Sequence, residues 1–105
     1  MDETRAELTI THHPEGRGGR YVAVLAGAAP QGHLEWEPGA AQRGQPVRIA
    51  THTVVPRAIG GRGVAQALVA RLVADATAQG FLIRPQCSYV ARRLAERPDW
   101  AALIA

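Results

Sequence analysis

Between residues 47 and 80 the chain changes its hydrophobic period once, and that change limits the folds open to it. Val47 to Val55 (VRIATHTVV) alternates and is rich in β-branched residues, the mark of a half-buried strand. Pro56 ends it, because proline has no N–H to give to a strand ladder. Three glycines, Gly60, Gly61 and Gly63, follow within IGGRGVAQALV, residues 59–69. Val64, Ala65, Leu68, Val69, Leu72, Val73 and Ala76 then recur at helical spacing, while Gln66, Arg71 and Asp75 lie off that stripe. Arg71 and Asp75 stand one turn apart and can pair. Gly80 is placed to cap the helix, and Phe81 to Ile83 is the next strand, closed by Pro85. Strand, helix and strand in immediate succession return parallel to one another.

The flanking segments complete the pattern. Glu7 to His12 alternates as a strand, Glu15 to Arg20 is a glycine-rich turn, and Tyr21 to Leu25 is the returning strand of a hairpin. Gly27 to Gly32 turns again, His33 to Glu37 reads as a short third strand, and Pro38 to Pro46 as a loop. After Pro85, Ser88 to Arg97 forms a second, shorter amphipathic helix with Val90, Ala91, Leu94 and Ala95 inward. Pro98 breaks it, and Asp99 is placed to cap a last turn carrying Trp100, Leu103 and Ile104. The expected fold is α/β: a mixed sheet of about five strands, an antiparallel meander followed by a β-α-β crossover, with two main helices.

Composition narrows the function. The chain has 105 residues, enough for one domain with a modest core, and 47% are hydrophobic, which argues against disorder. No apolar run approaches the roughly 20 residues of a membrane span. The acidic start, MDETRAELTI, has no signal-peptide core, which points to a cytoplasmic protein. Cys87 is the single cysteine, so there is no internal disulfide and no multi-cysteine metal site. His12 and His13 are adjacent on a strand, point to opposite faces and chelate poorly, so no metal is expected. The net charge of +3 comes with arginines scattered along the chain and few aromatic residues, a pattern that argues against nucleic-acid binding and suits a small anionic ligand.

The glycine stretch is where such a ligand would sit. A nucleoside-triphosphate loop needs a lysine, and the chain has none. A dinucleotide fingerprint needs a third glycine where Gln66 stands, and it follows a first strand rather than a fourth. Left open are a plain turn with a helix cap and a phosphate cradle of bared N–H groups.

At this point the sequence resembles the GCN5-related N-acetyltransferases, whose Gln/Arg-x-x-Gly-x-Gly/Ala signature lies at such a strand-to-helix junction. It is closest to a branch of short single-domain members. Their motifs appear in order as His52-Thr53-Val54-Val55-Pro56, Gly61-Arg62-Gly63-Val64-Ala65, Ala67-Leu68, Cys87-Ser88-Tyr89-Val90 and Arg97-Pro98. The resemblance covers about residues 20 to 100. It departs from the signature at Gly60, which stands at the Gln/Arg position.

The resemblance implies acetyl-coenzyme A (acetyl-CoA) as co-substrate and a primary amine as acceptor. It implies that the backbone of Gly60, Gly61, Gly63, Val64 and Ala65 holds the pyrophosphate, with the Arg62 guanidinium beside it. Val54 and Val55 would line the pantetheine arm. A glutamate base is common on the fourth strand of the family, and none lies between Val47 and Val55, which leaves His52 as the titratable base there. Cys87, at a helix start, is a candidate nucleophile or a donor to the leaving thiolate. Tyr89 is either a proton donor to that thiolate or a packing residue. Three functions stay open: an acetyltransferase, a catalytically weak acetyl-CoA-binding module, and a non-enzymatic interaction domain. The acceptor and the oligomeric state are not written in these motifs.

Overall fold

The structure is a computed structural model that describes residues 7–105. Most of the acidic N-terminal run, with the signal-peptide expectation that falls on it, lies outside the described residues. Strands β1 (Leu8–Glu15), β2 (Gly18–Leu25), β3 (Gln31–Gln42) and β4 (Gln45–Val54) form an antiparallel meander. Helix α1 (Val64–Gln79) crosses over to β5 (Leu82–Pro85), which pairs parallel with β4, and the sheet order is β1-β2-β3-β4-β5. Helices α2 (Ser88–Ala95) and α3 (Pro98–Ala101) follow. The mixed five-stranded α/β sheet expected from the sequence is therefore the fold observed.

Both longer helices cover one face of the sheet. Helix α1 packs across β1, β2 and β3, and α2 packs on β4, β5 and α1. The buried residues of α1, Val64, Leu68, Val69, Leu72, Val73 and Ala76, meet Tyr21, Ala23, Leu25, Leu34, Ala50 and Ile83 from the sheet, with Val90 and Leu94 closing the cluster from α2. Each buried Val, Leu or Ile side chain among these contributes about 1.5–3 kcal/mol. The other face of β1–β4 carries polar and half-exposed side chains, among them Val24 and Val54 at 36% and 46% exposure.

Three sequence expectations are corrected. Pro38 to Pro46 is no loop: β3 runs to Gln42, and Arg43 and Gly44, with φ of 50° and 75°, make the two-residue turn into β4. Pairing with β4 overrides the weak strand propensity of this Pro- and Gly-rich run, and a register shift between Gly39 and Gln42 absorbs the irregularity. β5 runs Leu82–Pro85 and not Phe81 to Ile83: Phe81 precedes it, Arg84 extends it, and Pro85 closes it as its last residue. Asp99 does not cap the last helical turn, because Pro98 already occupies the first turn and Arg97 is the cap residue. Asp99 instead pairs with Arg97 at 3.0 Å, and that hydrogen bond holds its carboxyl below the usual range.

A second register shift, between Glu35 and Trp36, matters more for the site. Trp36 stands opposite Ala50 and Glu35 opposite His52, which leaves Thr51 as the extra residue of a bulge. Before it, Arg48 and Ala50 face the helices. After it, Thr53 faces them beside the fully buried Leu34, and His52 and Val54 turn to the open face.

Candidate functional site

Gly61 and Gly63 have φ of +73° and +78°, a left-handed conformation that residues with a Cβ rarely adopt. These two turns bring the chain from the short 3₁₀ turn at Arg57–Ile59 into α1, with Gly63 as its cap residue. No side chain caps the helix, and the first bond in the ladder is Ala67 N–H to the Gly63 carbonyl at 3.0 Å. The N–H groups of Val64, Ala65 and Gln66 therefore have no carbonyl partner within the helix. A Cβ built on Gly61 would meet nothing within 4 Å, and one on Gly63 only the Gln66 side chain at 3.6 Å. The space beside the glycines is thus open.

That space is a cavity of about 390 Å³ lined by Val55, Gly60, Gly61, Gly63, Val64, Ala65, Gln66 and Tyr89. Seven of these were expected at a ligand site. Gln66 is the addition: the sequence pattern shows it only as the polar side of the helix, although a polar residue in a first helical turn is a fair signal. Gly60 lines the cavity, but its own N–H is already bonded to the Arg57 carbonyl at 3.0 Å. Arg62 is exposed at the loop apex and Val54 is on the open face; neither is part of the lining. The free N–H groups, together with the positive end of a 16-residue helix, favour an anion here. The set fits a pyrophosphate.

Cys87 lies at the start of α2. Beyond the Ala50–Pro85 pair, β5 no longer follows β4, because the N–H groups of Gln86 and Cys87 both bend back to the Ala50 carbonyl at 3.0 Å. This brings the Cys87 sulfur within 3.5 Å of Thr53 Oγ1. Partial burial pushes the thiol up, but hydrogen bonds from the backbone of Val90 and Tyr89 and from Thr53 outweigh it, and the net shift is downward. Thr53 was not singled out from the sequence, although it stands next to His52 in the same motif. His52 and Cys87 are not brought together, since the bulge turns His52 to the opposite face from Thr53.

A reactivity profile checks this environment. Alkylation of Cys87 by iodoacetamide is expected to reach half its plateau rate at a lower pH than alkylation of a short unstructured cysteine peptide, because the thiolate is the nucleophile. Thr53→Val removes one stabilising hydrogen bond and should move that midpoint upward. A wild-type midpoint at or above that of the peptide would contradict the assignment.

Among the described residues, no group of three or more His, Cys, Asp or Glu is placed to hold a metal ion, and no helix is long and apolar enough to cross a membrane. No curated protein matches the chain. A family model described as GCN5-related N-acetyl-transferase matches residues 20–103, a span that takes in β4, the glycine turn, Cys87 and all three helices. The chain belongs to the GCN5-related N-acetyltransferase family, and its fold is that of an acetyltransferase domain.

Proposed function

We propose that the protein transfers an acetyl group from acetyl-CoA to a primary amine, with the pyrophosphate held by the loop Gly61–Ala65. The observation that carries this reading is the open cavity at the N-terminus of α1, where a glycine turn leaves the first helical N–H groups unpaired. Acetyl-CoA supplies an activated acetyl group as its thioester. Val64 and Ala65 donate backbone N–H groups to the phosphates, and Arg62 adds a guanidinium from the loop. Val55 lines the cavity at the end of β4, with Val54 beside it in sequence, so the arm of the coenzyme lies along this strand end.

Cys87 stands at the inner side of the parting between β4 and β5, with its thiol held below the ordinary value by the hydrogen bonds around it. It serves there either as the nucleophile that takes the acetyl group and passes it to the amine, or as the thiol that gives a proton to the departing coenzyme sulfur. His52 is the base that removes the proton from the amine. Tyr89, part of the cavity lining, is the other candidate proton donor.

Binding without transfer is the second reading, and Gly60 favours it: the position where the family carries Gln or Arg has no side chain, and its N–H is spent on Arg57. The test is transfer from labelled acetyl-CoA to a panel of primary amines by the wild type, Cys87→Ala and His52→Ala. Catalytic use of either residue predicts a loss of about 100-fold or more while coenzyme binding persists. Coenzyme binding with no transfer to any amine would leave the second reading standing.

A further inference from the structure

The open face of the sheet carries a row of side chains fixed by strand register. His13, Arg20, Glu35 and His52 are successive cross-strand partners from β1 to β4, and Val22, His33 and Val54 form the neighbouring row. Within this array Glu35 Oε2 lies 3.1 Å from His33 Nε2. Directly paired residues hold their Cβ atoms about 4.5–5.5 Å apart, so His52 is within side-chain reach of the same carboxylate. Arg20, the other cross-strand partner of Glu35, has its Nε 3.2 Å from a Glu15 carboxylate oxygen. Glu35 is thus a half-exposed carboxylate flanked by two imidazoles.

Its position gives that cluster a use. β5 pairs with β4 only from Val47 to Ala50, and β4 runs on to Val54 after β5 has turned away. The parting joins the two faces of the sheet. Thr53 and Cys87 lie on its inner side, His52 on its outer side, and the bulge at Thr51 is what separates them. A thioester on the inner side and an acceptor on the outer side would meet across that gap.

We propose that Glu35, with His33 and His52, forms the seat for the acceptor, and that the acceptor is a protonated primary aliphatic amine arriving from the open face. This rests on the acetyltransferase reading for its role in catalysis. An aliphatic amine is an ammonium ion at neutral pH, and must lose a proton before it can attack. Glu35 accepts a charge-assisted hydrogen bond from the ammonium. His52 takes one proton onto its free ring nitrogen, which leaves the lone pair on the amine nitrogen and an imidazolium beside the Glu35 carboxylate. His33 orients the carboxylate. The family's missing strand-four glutamate is replaced, in this account, by a glutamate on β3 acting with a histidine on β4.

The test is an NMR titration of the full chain with n-butylammonium chloride, following the ring signals of its four histidines. Saturable shifts are expected at His33 and His52 and not at His12, which lies on the covered face stacked on Tyr21. Glu35→Gln should weaken binding about tenfold, a change of about 1.4 kcal/mol, and sodium butyrate should give no shifts. Equal binding by Glu35→Gln, or shifts spread over all four histidines, would overturn the proposal. The titration needs no acetyl-CoA, so its outcome is independent of coenzyme binding. Where transfer is measurable, Glu35→Gln should raise KM for n-butylamine about tenfold and leave the acetyl-CoA dissociation constant within about twofold. An unchanged KM would likewise overturn it.

Discussion

Asp75→Ala is expected to destabilise the protein by about 2–4 kcal/mol. Asp75 Oδ2 accepts the Tyr21 hydroxyl at 2.8 Å, and Oδ1 accepts Arg71 Nε at 3.2 Å. The same hydroxyl accepts a bond from Arg48 at 2.9 Å. Tyr21 is fully buried, and burial, with Asp75 as acceptor, pushes its phenol well above the ordinary value, so it stays protonated and donates.

Arg48 is locked in the same place. Its guanidinium lies 4.0 Å from the Trp36 and Phe81 ring centres. Arg71 reaches on to the Ile10 carbonyl at 3.0 Å. Removing the carboxylate leaves a buried hydroxyl without its acceptor and the Arg71 guanidinium without its counter-charge. The side chain of Asp75 is 15% exposed, so the cost falls below that of a fully buried pair. Alanine recovers about 0.5 kcal/mol through its helix propensity.

Stability in a chain of this length is about 5–15 kcal/mol. The loss should lower Tm by roughly 10–25 °C in thermal unfolding followed by circular dichroism. Asp75→Asn, which keeps an acceptor and loses the charge, should cost about half as much. A change below about 0.5 kcal/mol for Asp75→Ala would mean that solvent already screens the network.

The double substitution Gly61→Asp/Gly63→Asp carries the other large effect, on binding. Each aspartate puts a residue with a Cβ at a φ near +75°, and places a carboxylate at the rim of the anion cavity. Two negative charges facing a pyrophosphate cost several kcal/mol, so affinity for acetyl-CoA should fall by at least about 1000-fold. Aspartate tolerates the left-handed region better than most residues, and the loop is exposed, so the fold should persist. Retained thermal unfolding cooperativity would confirm that, separating lost binding from lost structure.

The contrast between these two predictions marks what the sequence could show. The glycine turn and α1 are local: period, proline, glycine and cap all lie within residues 56–80, and the end of the strand before Pro56, the helix and its Gly80 cap stand where that pattern puts them. The Tyr21–Asp75–Arg48 network joins residues from β2, α1 and β4, and no spacing rule links them. The sequence disclosed only its local arm, the Arg71–Asp75 pair one turn apart, found at 3.2 Å.

The face of His52 was equally hidden. Strict alternation along VRIATHTVV puts His52 with Arg48 and Ala50, toward the helices. The bulge at Thr51 reverses that, and a bulge is a property of two paired strands. For the same reason Glu35 could not be linked to His52 until the register was known. The β3 tail, with Pro38 and Gly39, has the composition of a loop and is a strand only because β4 supplies its partner.

A glycine turn that cradles pyrophosphate must bind the coenzyme, and a calorimetric titration of the purified protein with acetyl-CoA, beside the Gly61→Asp/Gly63→Asp variant, measures that binding. Micromolar or tighter binding by the wild type, corresponding to about −8 kcal/mol or better, and none by the folded variant, is the predicted result. Absence of binding by the wild type at millimolar ligand, or undiminished binding by the variant, would contradict it.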